Sequence, residues 1–179
     1  MLAMLTAVLL MMTVIPLSAF AATETGGTTG ECIWRLDGTV LTISGNGKKE
    51  DYDGFSWSNS APWWSFDLTE VMIESGVTQI GSYAFYDCNG LESITIPASV
   101  TKIGNYAFEG CSNLASLTIP DGITEISDGV FSGCSNLTSV TIPAGVTRRF
   151  KPGTAYQAIQ CYATFCNGLS PFVLLAYYF

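Results

Sequence analysis

Residues 68 to 146 repeat themselves every 23 positions, and this period dictates the shape that the chain can take. Leu68, Leu91, Leu114 and Leu137 share one phase, and Val71, Ile94, Leu117 and Val140 share a second. Ile73, Ile96, Ile119 and Ile142 follow the same step, as do Val77, Val100, Ile123 and Val146. Two shorter columns complete the pattern, Phe85, Phe108 and Phe131, then Cys88, Cys111 and Cys134. A unit this short cannot bury its own apolar face, so the copies must stack, cover one another and carry caps at the ends. The array therefore presents a long surface rather than a catalytic pocket.

Within the stretch from Leu91 to Pro97, Ile94 and Ile96 alternate with Ser93 and Thr95, the period of a strand with Ile94 and Ile96 inward and the hydroxyls outward. Proline cannot donate to a ladder, so Pro97, Pro120 and Pro143 are expected to end the strands. Residues 100–104 read as a second short extended segment, and 105–111 as a helical or 3₁₀ turn. A unit of this length with the L-x-x-I-x-I spacing is the signature of a leucine-rich-repeat solenoid. The expected fold is a β-rich (α/β) solenoid whose 23-residue units build a parallel sheet.

The ends bound the domain. The first 21 residues carry no charge, run apolar from Leu2 to Pro16 and close on Ala19-Phe20-Ala21, which predicts a secretory signal peptide over 1–21. The alternative is an uncleaved membrane anchor, and that segment is the sole expected link to a membrane. Residues 22–30 read as a flexible Gly/Thr linker. Asp37-Gly38, flanked by alternating apolar residues, predicts a β-hairpin with Cys32, Trp34, Leu36, Leu41 and Ile43 on one face. That hairpin opens an N-terminal cap over 31–67, ahead of the solenoid at 68–147. From 148 the repeat phase fails, with Arg149 and Phe150 where an apolar and a small residue are due. The stretch 148–179 is read as an aberrant, truncated or frame-shifted tail, or as a short C-terminal cap.

The unit I-T-I-P-x-x-V-x-x-I-G-x-x-A-F-x-x-C-x-x-L, spanning Ile94 to Leu114, resembles the BspA-like leucine-rich-repeat family of bacterial surface proteins. Residues 38–47 and Ala61-Pro62-Trp63 resemble that family's N-terminal cap. The resemblance implies a protein secreted or held at the bacterial cell surface, non-catalytic, that binds an extracellular protein or glycoprotein in adhesion. Family members usually carry many more repeats, which also suits a truncated fragment of a longer adhesin.

The outward columns Ser93, Ser116, Ser139 and Thr95, Thr118, Thr141 form a hydroxyl strip, the first candidate binding site. It offers many weak hydrogen bonds to an extended partner, although the same columns also serve as a plain solubilising face. Trp57, Trp63 and Trp64 are the alternative, a sugar-stacking platform in the cap, set against a role in filling that cap. The chain has no histidine, which removes the common general base and the triads built on it, so no catalytic residue is expected. No metal site and no cofactor are expected either. The repeat cysteines read as buried thiols, and Cys161 and Cys166 as a possible pair in an oxidising compartment. The formal charge of −8 repels phosphate backbones, so nucleic acid is not an expected partner.

Overall fold

The computed structural model describes residues 25–54 and 59–147. The expected signal peptide, the tail from residue 148, Trp57, Cys161 and Cys166 lie outside the described residues.

The chain opens with three antiparallel strands, β1 (Thr25–Thr29), β2 (Cys32–Asp37) and β3 (Val40–Gly45). Where a flexible linker is expected, β1 pairs along its whole length with β2, from Thr25 opposite Leu36 to Thr29 opposite Cys32. Thr29 is buried there, and its hydroxyl bonds the Tyr52 phenol, which ties the strand to the cap. The hairpin forms with its loop one residue later than the Asp37-Gly38 signal. Asp37 pairs with Val40, and Gly38 takes a φ of 59° at the first loop position, where a tight hairpin turn needs positive φ. The shift moves each strand by one step together, so the faces survive. Cys32, Trp34, Leu36, Leu41 and Ile43 are all buried on one side.

The hairpin does more than cover an end. β3 pairs in parallel with β5 (Glu70–Ile73), placing Leu41 beside Val71 and Ile43 beside Ile73. The cap thus becomes the first strands of the repeat sheet and extends its apolar face without a break. β5 pairs in parallel with β7 (Ser93–Thr95), with Val71 opposite Ile94, and β9 (Ser116–Thr118) pairs with β10 (Ser139–Thr141), with Leu117 opposite Val140. Each of these partners lies 23 residues on, as the sequence columns require. β9 lies beside β7, but the hydrogen-bonded ladder is interrupted between them. Two residues after the repeat strands, the carbonyls of Pro97, Pro120 and Pro143 accept from Val100, Ile123 and Val146 at 3.1, 3.1 and 3.2 Å, closing a turn.

A second parallel sheet follows those turns, with β4 (Gly47–Lys48), β6 (Val77–Ile80) and β8 (Lys102–Ile103) in order. The next segment is not the helical or 3₁₀ turn expected from 105–111. It is a run of turns whose alternate N–H groups reach the following repeat. Tyr83, Phe85 and Asp87 donate to the carbonyls of Asn105, Ala107 and Glu109 at 3.0, 2.8 and 2.7 Å. Tyr106, Phe108 and Gly110 repeat the pattern onto Asp128, Val130 and Ser132. Left-handed φ values at Tyr83, Asp87 and Tyr106 aim those peptides between repeats rather than along a helix. Among the described residues no helix is long and apolar enough to cross a membrane.

The core holds the predicted columns. Leu68, Leu91 and Leu114 are fully buried, and Ile94, Ile96 and Ile142 pack against the core while partly exposed. The phenylalanines stack, Phe85 on Phe108 at 5.5 Å between centroids and Phe108 on Phe131 at 6.2 Å, with rings within 7° of parallel. The cysteines follow this stack. Cys111 donates its thiol to the Phe85 carbonyl at 3.2 Å and Cys134 donates to that of Phe108 at 3.1 Å. Cys88, Cys111 and Cys134 are buried thiols rather than disulfides. Burial pushes Cys88 up to about 12 and raises Cys111 as well, and a neutral, inaccessible thiol is a poor nucleophile. Iodoacetamide is therefore expected to leave Cys111 unmodified in the folded protein and to modify it in denaturant. Rapid native labelling, or a mapped bridge from Cys88 to Cys111, would contradict this arrangement.

Candidate functional site

The outer face of the repeat sheet is the first candidate. Pleating sends alternate side chains outward, so Ser93, Thr95, Ser116, Thr118 and Thr141 are exposed while Ser139 is half-buried. The parallel register brings Ser116 beside Ser139 and Thr118 beside Thr141. Towards the cap, the same rows continue as Glu70 beside Ser93 and Met72 beside Thr95, then as Thr42 beside Met72 and Arg35 beside Thr42. The face changes character along its length. Hydroxyls dominate at β7, β9 and β10, whereas Met72 at 40 % and Ile33 at 57 % exposure place large apolar groups near the cap. Met72 was legible in the sequence, because it occupies the column of Thr95, Thr118 and Thr141 one step earlier. Ile33 has no repeat counterpart, and only the hairpin register places it on that face.

The cap tryptophans do not form one platform. Trp63 is fully buried, stacked on Phe85 at 5.8 Å between centroids, and its indole N–H donates to the Ala84 carbonyl at 2.9 Å. It serves as the first ring of the Phe85, Phe108 and Phe131 stack, so its faces are closed to a sugar. Trp64 points the other way and is 48 % exposed. Trp57 lies outside the described residues.

A residue that sequence reasoning did not single out sits beneath this cluster. Lys49 is 2 % exposed, and its Nζ has no hydrogen-bond partner among the described residues. The ammonium lies 4.4 Å from the ring centroid of Trp63, 4.7 Å from Tyr52 and 5.1 Å from Phe85. Burial pulls Lys49 down to about 7, partly opposed by the nearby Cys88, Cys32, Asp51 and Glu50. Burial likewise lifts the Tyr52 phenol to about 12. A lysine flanked by Lys48 and Glu50 reads in sequence as solvated. Its enclosure arises because β4 lies against β6, which turns the following side chain inward.

Parallel strands at a fixed repeat offset, an apolar interior of aligned Leu, Ile and Phe, and an exposed sheet face define a leucine-rich-repeat protein. The family model for the BspA type leucine-rich repeat region (6 copies) matches residues 58–152, more than half of the chain, and the chain belongs to this family. One solved structure agrees in fold, and two others show similarity to the chain. A leucine-rich repeat protein from Eubacterium ventriosum is 27% identical with a TM-score of 0.57, over 77% of this chain and 42% of its own. One from Bacteroides ovatus is 28% identical with a TM-score of 0.45, over 49% of this chain and 23% of its own. A leucine rich cell surface protein from Faecalibacterium prausnitzii is 25% identical with a TM-score of 0.36, over 72% and 51%. The chain thus spans well under two thirds of the length of each. No curated protein matches it.

Proposed function

We propose that this chain is an exported, non-catalytic surface protein whose repeats coil into a solenoid and bind an extracellular protein or glycoprotein through the outer sheet face. The observation that carries the reading is the register of that face. Two rows of hydroxyls, Ser93, Ser116, Ser139 and Thr95, Thr118, Thr141, project from ladders held by the core, so they are ordered before any partner arrives. Preorganised side chains lose little entropy on binding. Met72 and Ile33 add apolar anchors at one end of the strip, of the kind that carry most of the energy in an interface. Membership of the BspA type family supports the surface location, and the apolar segment ending at Ala21 supports export.

The test replaces Thr95→Lys, Thr118→Glu and Thr141→Lys together. Opposite charges on neighbouring strands pair favourably, by roughly 0.2 to 1 kcal/mol, so the fold should persist while the hydroxyl row is lost. Binding to an array of extracellular matrix proteins and to whole cells should fall at least about tenfold, with an unchanged circular dichroism spectrum. A folded triple variant that binds as the parent does would reduce the strip to a solvated face.

A further inference from the structure

We propose that the pocket between the cap and the first repeat binds a neutral pyranose ring, stacked against Trp64 and Tyr86 and held through its hydroxyls by Asp87. This site stands apart from the outer sheet face, so either reading can fail alone.

The pocket has a volume of about 360 Å³, the scale of a monosaccharide, and Trp64, Tyr83, Tyr86 and Asp87 line it together with Gly54 and Ser60. Tyr83 and Tyr86 meet edge to face at 5.8 Å and 69°, so their planes form two walls rather than a flat floor. Tyr83 is further braced by Tyr106, stacked at 5.1 Å and 15°. Aromatic faces next to a polar acceptor suit a ligand with one apolar face and a rim of hydroxyls. Asp87 is exposed, and its Oδ1 accepts from Asn89 Nδ2 at 3.1 Å, which orients the carboxylate. An ionised carboxylate has acceptor capacity beyond one N–H.

The repeats supply an internal control. At the position of Asp87, the second and third repeats place Gly110 and Gly133, with φ values of 77° and 71° against 57° for Asp87. At the position of Tyr83 they place Tyr106 and Gly129, with φ values of 55° and 63° against 52°. At the position of Tyr86 they place Glu109 and Ser132. The first repeat therefore holds non-glycine side chains in a left-handed backbone that glycine adopts without strain. Those strained side chains line the pocket, and strained residues of this kind gather at functional sites. Packing alone does not require a carboxylate at Asp87, because Gly110 and Gly133 build the same turn, whereas Tyr83 also packs on Tyr106.

Charge selects a neutral ligand. Burial raises both phenols, and the carboxylates of Glu109 and Asp53 beside Tyr83, and of Glu109 and Asp87 beside Tyr86, raise them further, so the rim is acidic and repels anions. Beneath the floor, Lys49 Nζ already occupies the inner faces of Tyr52 and Trp63, which closes those faces to a second cation. An uncharged ring with hydroxyls meets neither penalty.

The experiment titrates the purified full chain with the methyl glycosides of glucose, galactose, mannose and N-acetylglucosamine. Saturation-transfer NMR and tryptophan fluorescence report binding. At least one glycoside should bind saturably in the millimolar range, weakening about tenfold or more in Trp64→Ala and in Asp87→Gly. Asp87→Gly installs the residue of the later repeats, so its melting temperature should equal or exceed that of the parent. This separates a lost ligand contact from a lost fold. Absence of saturable binding to all four glycosides would overturn the proposal. So would unchanged affinity in both variants, or equally tight binding of choline or glucuronate.

Discussion

Phe108→Ala is expected to lower the unfolding free energy by roughly 3 to 5 kcal/mol. Phe108 is fully buried and sandwiched, with Phe85 at 5.5 Å on one side and Phe131 at 6.2 Å on the other. Truncation removes the contacts of both ring faces. The carbonyl of Phe108 also receives the Cys134 thiol, and its N–H bonds the Val130 carbonyl at 3.1 Å. The backbone on either side of the hole is therefore held by its own hydrogen bonds and cannot collapse into it, which keeps the penalty near the upper end for a phenylalanine. Because stability in a repeat array depends on nearest-neighbour interfaces, the loss uncouples the repeats on either side. Chemical denaturation should show a large drop in midpoint, or two transitions in place of one. A midpoint close to that of the parent would refute the stacking role.

Lys49→Met is expected to do the reverse and stabilise the protein at low pH. The parent buries an ammonium that no described group hydrogen-bonds, and replacing a buried charge by an apolar group of similar length is often stabilising by about 1 to 4 kcal/mol. The three ring faces around Nζ favour the cation by about 2 kcal/mol, which limits the gain. The pH dependence identifies the cause. Lys49 falls to about 7 in the folded chain against 10.5 when unfolded. Between those values the unfolded chain holds a proton that the folded chain has released, so this group makes stability rise with pH. Below about pH 7 both states are protonated and the penalty is complete.

Other buried groups act in the opposite sense at higher pH. Cys88 rises from 9.0 to about 12 and Tyr52 from 10.0 to about 12, and Cys32 and Cys111 rise as well. Folded, these keep protons that the unfolded chain loses, so each removes stability above about pH 9. The parent should therefore gain stability from about pH 7 to 9 and lose it beyond. The advantage of Lys49→Met should be largest at pH 6 and shrink steadily towards pH 9. An advantage that stays constant across that range would show that Lys49 keeps its proton in the folded chain and that burial does not lower it.

The repeat columns were legible because a stacked array has one rule for every copy. Where the repeat strands pair, a residue meets its counterpart 23 positions on, as the pairings of Ser116 with Ser139 and of Val71 with Ile94 show. The inward faces of the hairpin were legible for a similar reason, since the two-residue period of a strand survives a shifted turn. Those parts of the fold rest on local spacing. Outside the hairpin the cap obeys no period, and there the sequence was silent or misleading. The Gly/Thr run at 25–29 becomes a strand because β2 presents a free edge to it. Trp63 and Trp64 are adjacent and identical in chemistry, yet one is buried as the first ring of the phenylalanine stack and the other stands in the pocket. The buried site of Lys49 depends on how β4 and the first turn wall meet the cap, an interface made once among the described residues. Periodic contacts can be read from a sequence because each is stated several times, whereas a contact made once between distant segments is decided by tertiary packing alone.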